Sequence, residues 1–349
     1  MRILIITQSV DTHNPVLGFF HEWIKGLSSQ FEKVTVICLE VGTYSLPNNV
    51  QVFSLGKEKG VSKFTYLKNF FTLIWREKCN YGAVLVHMNE EYMILAGILW
   101  RAWGKKIILW RNHAKGNILT RAAVCLANKV LCTSPNSFTA QYKKTSICAA
   151  GIDTDFFQIS QRTNLSGPLK ILILGRISRV KNLHIIFTGL RELKDVSFVC
   201  TVVGSPITSD DQVYFNELKE QFADLLTNHL VQFVGDCAHE ETKKYFQSHD
   251  LYINATNSGS LDKTIVEAMA SGCLPIMVNT SFKQWLPDDI YKQVIFKEND
   301  SHALTAQVLT LVALGDEERG RIRNELRNWV EKDQSLSKLM AQISQNLQA

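Results

Sequence analysis

No stretch of these 349 residues is long and apolar enough to suggest a membrane span: apolar runs such as Tyr92–Trp100 stop well short of the roughly 20 residues a bilayer requires. The eight cysteines (Cys38, Cys79, Cys125, Cys132, Cys148, Cys200, Cys237, Cys273) never form a Cys-x-x-Cys pair, which argues against a zinc or dithiol centre. They stand singly, mostly within apolar stretches, and we read them as reduced core residues. Low-complexity tracts, coiled-coil heptads and short-period repeats are also missing, so neither a solenoid nor a rod is expected. Net charge is only +5 and no nucleic-acid-binding module is evident, which argues against a nucleic-acid partner. Met1 and Arg2 lead straight into Ile3-Leu4-Ile5-Ile6, without the longer apolar region and small-residue cleavage site of a secretory leader. The expected location is therefore the cytosol.

What is present points to a sizeable core, since 46% of the residues are hydrophobic and the length suits two domains. Charge divides unevenly: residues 1–165 carry a net +9 and the remainder −4. This is compatible with an N-terminal half that meets an anionic partner, or with incidental surface charge. Short β-branched runs recur at Arg2–Thr7, Val34–Leu39, Val50–Leu55, Ala83–Met88, Lys106–Arg111 and Lys129–Ser134, with helix-length segments between them. Near-continuous apolar strands of this kind fit a parallel sheet covered on both faces. A polar stretch, Gln158–Pro168, reads as a linker. The alternation then restarts at Leu169–Leu174, Ser197–Val203, Val231–Val234, Leu251–Ala255 and Leu274–Val278. The final 50 residues read as helices broken near Gly315, Gly320 and Asp333, the last presenting Leu336, Leu339, Met340, Ile343 and Leu347 on one face. The expected organisation is an α/β first domain over 1–165, an α/β second domain over 166–332 and a helix over 333–349 that packs back on the first. Ligands of such open sheets bind at the carboxyl ends of the strands, which predicts a cleft between two doubly wound domains facing each other.

Two segments of the second half could carry chemistry. In Leu172-Ile-Leu-Gly175-Arg176-Ile-Ser-Arg-Val-Lys181-Asn182 a strand ends in glycine, basic residues follow and a helix begins near Leu183. Gly175 would let backbone approach an anion, Arg176 offers a planar double donor, Lys181 a compact charge and the helix start oriented amides. The alternative is an ordinary strand-to-helix turn with solvated charges. In Asn254–Pro275, Glu267 falls amid Ile265-Val266 and Ala268-Met269-Ala270. An acid so placed is costly to bury without partners, and the vicinal hydroxyls of a ribose would supply them. The alternative is a glutamate on a solvated helix face.

Together, in this order and spacing, these segments resemble the C-terminal domain of retaining family four glycosyltransferases of GT-B architecture. The resemblance implies that Gly175, Arg176 and Lys181 hold the diphosphate of a nucleotide-sugar donor and that Glu267 contacts its ribose. Gly151-Ile152-Asp153-Thr154-Asp155-Phe156-Phe157, Val231–Gly235 and Asp250–Ile253 also look like the family. One departure is clear. The family usually carries an earlier glutamate followed by a glycine-rich loop that holds the donor sugar; here that position is Gly259 and the loop reads Ser260-Leu261-Asp262-Lys263. Asp262 and Lys263 are candidates to replace those contacts, Lys263 alternatively adding a phosphate contact.

By the same resemblance His113, in Trp110-Arg111-Asn112-His113, contacts the donor sugar near the reacting carbon, and Gly18, in Asn14-Pro15-Val16-Leu17-Gly18-Phe19-Phe20, brings backbone amides toward the diphosphate or the acceptor. Without the resemblance, His113 would read as a satisfied loop histidine. His87 is a weaker acceptor-side candidate. Asp153 and Asp155 superficially suggest a metal pair but fall in a segment that the resemblance makes structural. No metal or cofactor is expected, the nucleotide sugar being a substrate and Arg176 and Lys181 offsetting the leaving charge. Basic and aromatic residues alternate in Val61–Lys78 and again in Trp100–Lys106, as in an interfacial helix touching an anionic inner membrane or, alternatively, a core-packed helix with a solvated charged side. The expected activity is transfer of a sugar to a glycan or lipid-linked acceptor, as in cell-surface polysaccharide assembly; the alternatives are a sugar-nucleotide-binding subunit impaired in catalysis and a sugar-nucleotide epimerase.

Overall fold

The computed structural model describes residues 1–14, 17–159, 167–259 and 261–348. Pro15 and Val16, most of the expected linker 158–168, and Ser260 lie outside the described residues. The chain forms two compact units, one holding Met1–Gly151 and the C-terminal helix Leu336–Gln348, the other comprising Ile152–Ser258 and Asp262–Ser335.

In the first unit β1 (Arg2–Val10), β2 (Lys33–Val41), β3 (Val50–Ser54), β4 (Ala83–His87), β5 (Lys106–Trp110), β6 (Lys129–Cys132) and β7 (Thr145–Ile147) make one sheet in the order β3-β2-β1-β4-β5-β6-β7. All neighbours are parallel. The unbroken apolar run of β1 follows from burial on both faces: Ile3 and Ile5 enter one core, Leu4 and Ile6 the other, and all four are fully buried. Into the first of these cores the C-terminal helix inserts Leu339, Met340, Ile343 and Leu347, beside Trp23, Ile24 and Leu27. β7 has no counterpart among the expected strands. It is three half-exposed residues at a sheet edge, too short and polar to show a period.

The second unit holds β8 (Leu169–Leu174), β9 (Phe198–Val203), β10 (Val231–Gly235), β11 (Leu251–Asn254) and β12 (Leu274–Met277), parallel and ordered β10-β9-β8-β11-β12. In each sheet the chain reverses its direction of winding once, between β1 and β4 in the first and between β8 and β11 in the second. Helices must leave opposite faces there, which opens a crevice at the carboxyl ends of those strands.

Several local expectations change. Gly320 does not break a helix but lies inside Asp316–Trp329. A glycine within a helix costs about 1 kcal/mol, and here Ile322 and Leu326 are buried while Arg319 bonds the carbonyls of Val312 and Leu314. Trp100 belongs to the core rather than to an interfacial surface: it is fully buried and its indole N–H donates to the Tyr81 hydroxyl at 3.2 Å. Of the cysteines, Cys79 and Cys125 are exposed and Cys237 half-buried, so only five fill cores. In Asp153-Thr-Asp155, the Asp153 carboxylate accepts the amides of Asp155 (3.1 Å) and Phe156 (2.9 Å), which makes it the cap of a turn. Among the described residues no helix is long and apolar enough to cross a membrane, and no cluster of three or more His, Cys, Asp or Glu could hold a metal ion.

Candidate functional site

The two polar segments singled out in the second half converge at the winding reversal of the second sheet. β8 ends at Leu174, and Gly175 turns away with φ +135°, a conformation open to glycine and strained for other residues. Its peptide is pinned by a second glycine, Gly204, just past the end of β9. A Cβ on Gly204 would stand 2.1 Å from the Gly175 carbonyl oxygen. The Lys181 side chain runs over the α-carbon of Gly175, its Nζ 3.7 Å from where a Cβ would project.

Each base is held by an acid from a distant part of the sequence. Arg176 donates through Nε (2.6 Å) and Nη2 (2.5 Å) to Oδ2 of Asp211, the third residue of the helix Ser209–Gln221, and remains about half exposed. Burial works against the Asp211 charge, yet the Thr208 amide and the Arg176 guanidinium outweigh it and hold that carboxyl down at about 2. Lys181 Nζ donates to Oδ2 of Asp262 at 2.7 Å. That same oxygen accepts from Asn254 Nδ2 at 3.0 Å, while Oδ1 accepts from the Thr264 amide (3.2 Å) and hydroxyl (2.8 Å). Asp262 thus caps the helix Lys263–Ala270, anchors Lys181, and has its four lone-pair positions in use. Burial opposes its charge, but the Lys181 ammonium and these donors dominate and hold its carboxyl down at about 2. Asn182, with φ +51°, ties the segments together again: its Nδ2 donates to the Ala255 carbonyl and to Asn257 Oδ1, both at 2.9 Å. Of the amides at the start of the following helix, that of His184 is taken by the Tyr214 hydroxyl at 3.1 Å.

Glu267 lies one helical turn after Lys263 and is 5% exposed, so it is not a glutamate on a solvated face. Its carboxylate makes no hydrogen bond among the described residues. Burial pushes it above the usual carboxylate range, with Lys263 opposing and Asp262 reinforcing; burial likewise pushes the Lys263 ammonium down.

The first unit has its own pocket at its winding reversal, a cavity of about 460 Å³ lined among others by Gln8 of β1, His87 of β4, Glu90, Arg111 and His113. His87 is buried, stacked on Phe20 with ring centroids 4.0 Å apart, and its Nδ1 is 3.4 Å from the Thr7 hydroxyl. Met88, next in the chain, has φ +67°, a strained conformation for a residue with a side chain. Beneath the pocket Arg111 pairs with the buried Glu90 and donates to Thr120 Oγ1 (3.2 Å), which itself donates to Glu90 Oε1 (3.0 Å). A further bond from Arg111 Nη1 to the Lys115 carbonyl (3.2 Å) closes the loop that carries His113, and the His113 carbonyl accepts the Phe138 amide at 2.9 Å. Partial burial, then the Arg111 charge, lower the His113 imidazole below its ordinary value against the pull of Glu90, so it is neutral at pH 7. The amide of Gly18 donates to the Asn14 carbonyl at 2.9 Å and is thereby used within its own turn.

Glu90, Thr120, Gly204, Asp211, Asn254 and Thr264 were not singled out from the sequence. Thr208-Ser-Asp-Asp211 does carry the signal of a helix cap, and Thr208 and Asp211 do cap each other, but nothing local tells that Asp211 also clamps an arginine 35 residues earlier.

Residues 155–329 match the family described as Glycosyl transferases group 1. Over 137 residues the chain is 31% identical to the alpha-monoglucosyldiacylglycerol synthase of Streptococcus pneumoniae, covering 38% of this chain and 30% of that protein. Over 180 residues it is 28% identical to the amylovoran biosynthesis glycosyltransferase AmsK of Erwinia amylovora, covering 48% and 42% respectively. The matched stretches therefore span less than half of either relative. Among solved structures, Anabaena HepE in complex with UDP and glucose superposes with a TM-score of 0.79 over 100% of both chains at 16% identity, a likeness of fold that is the GT-B one. With a family match over half its length and a fold match over all of it, the chain belongs to the glycosyl transferases group 1 family.

Proposed function

We propose that this protein is a retaining glycosyltransferase that moves a sugar from a nucleoside-diphosphate sugar to a glycan or glycolipid acceptor in the assembly of a cell-surface polysaccharide. The observation that carries this reading is the arrangement at the end of β8, where an ammonium and a guanidinium stand beside a glycine turn and a buried glutamate that makes no hydrogen bond among the described residues lies in the helix that Asp262 caps. In the reaction, the bond from the anomeric carbon to the leaving phosphate oxygen breaks while the acceptor oxygen bonds to the same face. The acceptor proton passes to a donor phosphate oxygen. Charge grows on the departing diphosphate, and Lys181 and Arg176 stabilise it. Glu267 accepts from the two ribose hydroxyls, which compensates the cost of burying its carboxylate. Neutral His113 orients the sugar by a hydrogen bond, and the first-unit pocket takes the acceptor. No bound metal is required where fixed cations offset the leaving charge.

The experiment is calorimetric titration and thermal shift with UDP, GDP and ADP. A ligand at a hundred times its Kd adds about 2.7 kcal/mol of stability. UDP is the first to try, because HepE is described with UDP and glucose bound. Binding that is lost in Lys181→Ala supports the reading; no binding of any diphosphate by the wild type overturns it.

A second reading, a sugar-nucleotide-binding subunit without turnover, is favoured by Gly259 in place of the family's glutamate and by Asp262 having its lone pairs in use. Nucleotide binding with no transfer to any acceptor pool would select it, whereas a change of sugar stereochemistry without acceptor would select an epimerase. We further propose peripheral contact with an anionic membrane. The helix Lys63–Arg76 buries Phe70, Leu73 and Ile74 but leaves Phe64 86% and Trp75 57% exposed, with Lys63 and Lys68 on the same helix. Salt-sensitive sedimentation with phosphatidylglycerol vesicles that Phe64→Ala and Trp75→Ala weaken is the expected result; no sedimentation at low salt removes the proposal.

A further inference from the structure

The loop residue that breaks the family's pattern has a definite occupation. Asp262 stands where that family's glycine-rich loop would run, and its carboxylate receives Lys181 Nζ at 2.7 Å, Asn254 at 3.0 Å and the two donors of Thr264. Among the described residues this is the one hydrogen bond the Lys181 ammonium makes. Both side chains are largely shielded, 24% exposed for Lys181 and 18% for Asp262. The pair also lies at the glycine turn itself, since Lys181 Nζ is 3.7 Å from where a Cβ on Gly175 would project. A compact ammonium is directed by whatever anion lies beside it, and a carboxylate presents two oxygens much as a phosphate does.

We infer that Asp262 is the resident counter-ion of Lys181: it holds the ammonium over Gly175 while the site is empty and competes with the diphosphate for it when the donor arrives. This deepens the proposed function and rests on its reading of Gly175, Arg176 and Lys181 as a diphosphate site. Two opposite effects follow. The carboxylate positions the lysine, which favours the transition state, and it neutralises the lysine, which weakens ground-state binding of the donor. Asp262 is thus a positioning residue, and the pattern in the kinetics separates it from a plain helix cap.

Asparagine and serine cap helices about as well as aspartate. Asp262→Asn and Asp262→Ser therefore keep the helix start while removing the charge and the ion pair with Lys181, and thermal unfolding verifies that the fold is kept. The probes are UDP and inorganic diphosphate, titrated calorimetrically at low salt into wild type, the two variants, Lys181→Met and the double variants. Both single variants are expected to bind the probes about fivefold tighter or more, with the gain abolished in the Lys181→Met background. With a donor that the enzyme turns over, KM and kcat are expected to fall together. If wild type binds the probes, Lys181→Met weakens binding, and the Asp262 variants bind as wild type does, the counter-ion role is wrong while the diphosphate site stands. A gain that persists without Lys181 also overturns it, by showing a general charge effect. Should wild type bind neither probe, the diphosphate site itself falls and the counter-ion role with it.

Discussion

The pocket at the strand ends of the first sheet and the basic cluster at the strand ends of the second are built on the same topology and treat charge differently. In the first, Glu90 and Arg111 neutralise each other beneath the surface, Thr120 bridges them, and His113 is neutral. What this pocket offers a ligand is a wall of dipoles suited to hydroxyl groups. In the second, Arg176 and Lys181 stand at the turn, each tethered to one carboxylate, while Glu267 is buried with no hydrogen bond among the described residues. The bases of both sites are paired with acids; what sets the second apart is the buried Glu267. Net charge misleads here: residues 1–165 carry the +9, yet the arrangement suited to an anion lies in the half with −4. A phosphate site depends on a few bases fixed at a backbone turn, and distant surface lysines are screened over a Debye length of about 8 Å.

The sharpest way to break the comparison is Glu90→Ala, which leaves a guanidinium buried and unpaired. It is expected to cost about 3–5 kcal/mol of stability in chemical denaturation, and a loss below about 1 kcal/mol would mean that the first pocket is not held together by this pair. Next comes Lys181→Ala, expected to lower kcat about 10²–10³-fold, because one lost donor to developing charge is worth about 2.7–4 kcal/mol of barrier. Wild-type turnover in that variant would remove the asymmetry between the sites. Gly204→Ala tests the backbone beneath the cluster: a methyl group aimed at the Gly175 carbonyl oxygen, at φ +134°, should cost about 3 kcal/mol of stability and loosen diphosphate binding. Smallest is the pH effect of Glu267. Its carboxyl is raised by burial, so the stability it contributes is full below the ordinary carboxylate range and is lost as pH rises through the raised value. Glu267→Gln should therefore flatten the decline in Tm between about pH 5 and 8, and should weaken nucleoside diphosphate binding more than inorganic diphosphate binding.

Much of this was legible before any coordinates. The strand runs were clear because a parallel sheet covered on both faces demands unbroken apolar residues, as Ile3-Leu4-Ile5-Ile6 shows by feeding two cores at once. Gly175, Arg176, Lys181 and Glu267 were legible because glycine turns, clustered bases and an acid amid apolar residues are local signals. Their partners were not. Asp211 and Asp262 lie 35 and 81 residues from the bases they hold, and Glu90 meets Arg111 across 21 residues. A long-range ion pair leaves no period in the sequence, only two charged residues that each look solvated. Helix breaking at Gly320 misled for a related reason: local propensity pointed to a break, and the burial of Ile322 and Leu326 decided otherwise.

The placement of the helix Leu336–Gln348 in the core of the first unit sets an order on biosynthesis. A ribosome delivers the seven strands of that unit first and then the whole second unit, and only afterwards the segment that covers Trp23, Ile24 and Leu27. Until then an oily groove stays open on the nascent polypeptide, a natural landing place for chaperones. A stop that removes Leu339, Met340, Ile343 and Leu347 would thus cripple the half of the molecule that was translated earliest.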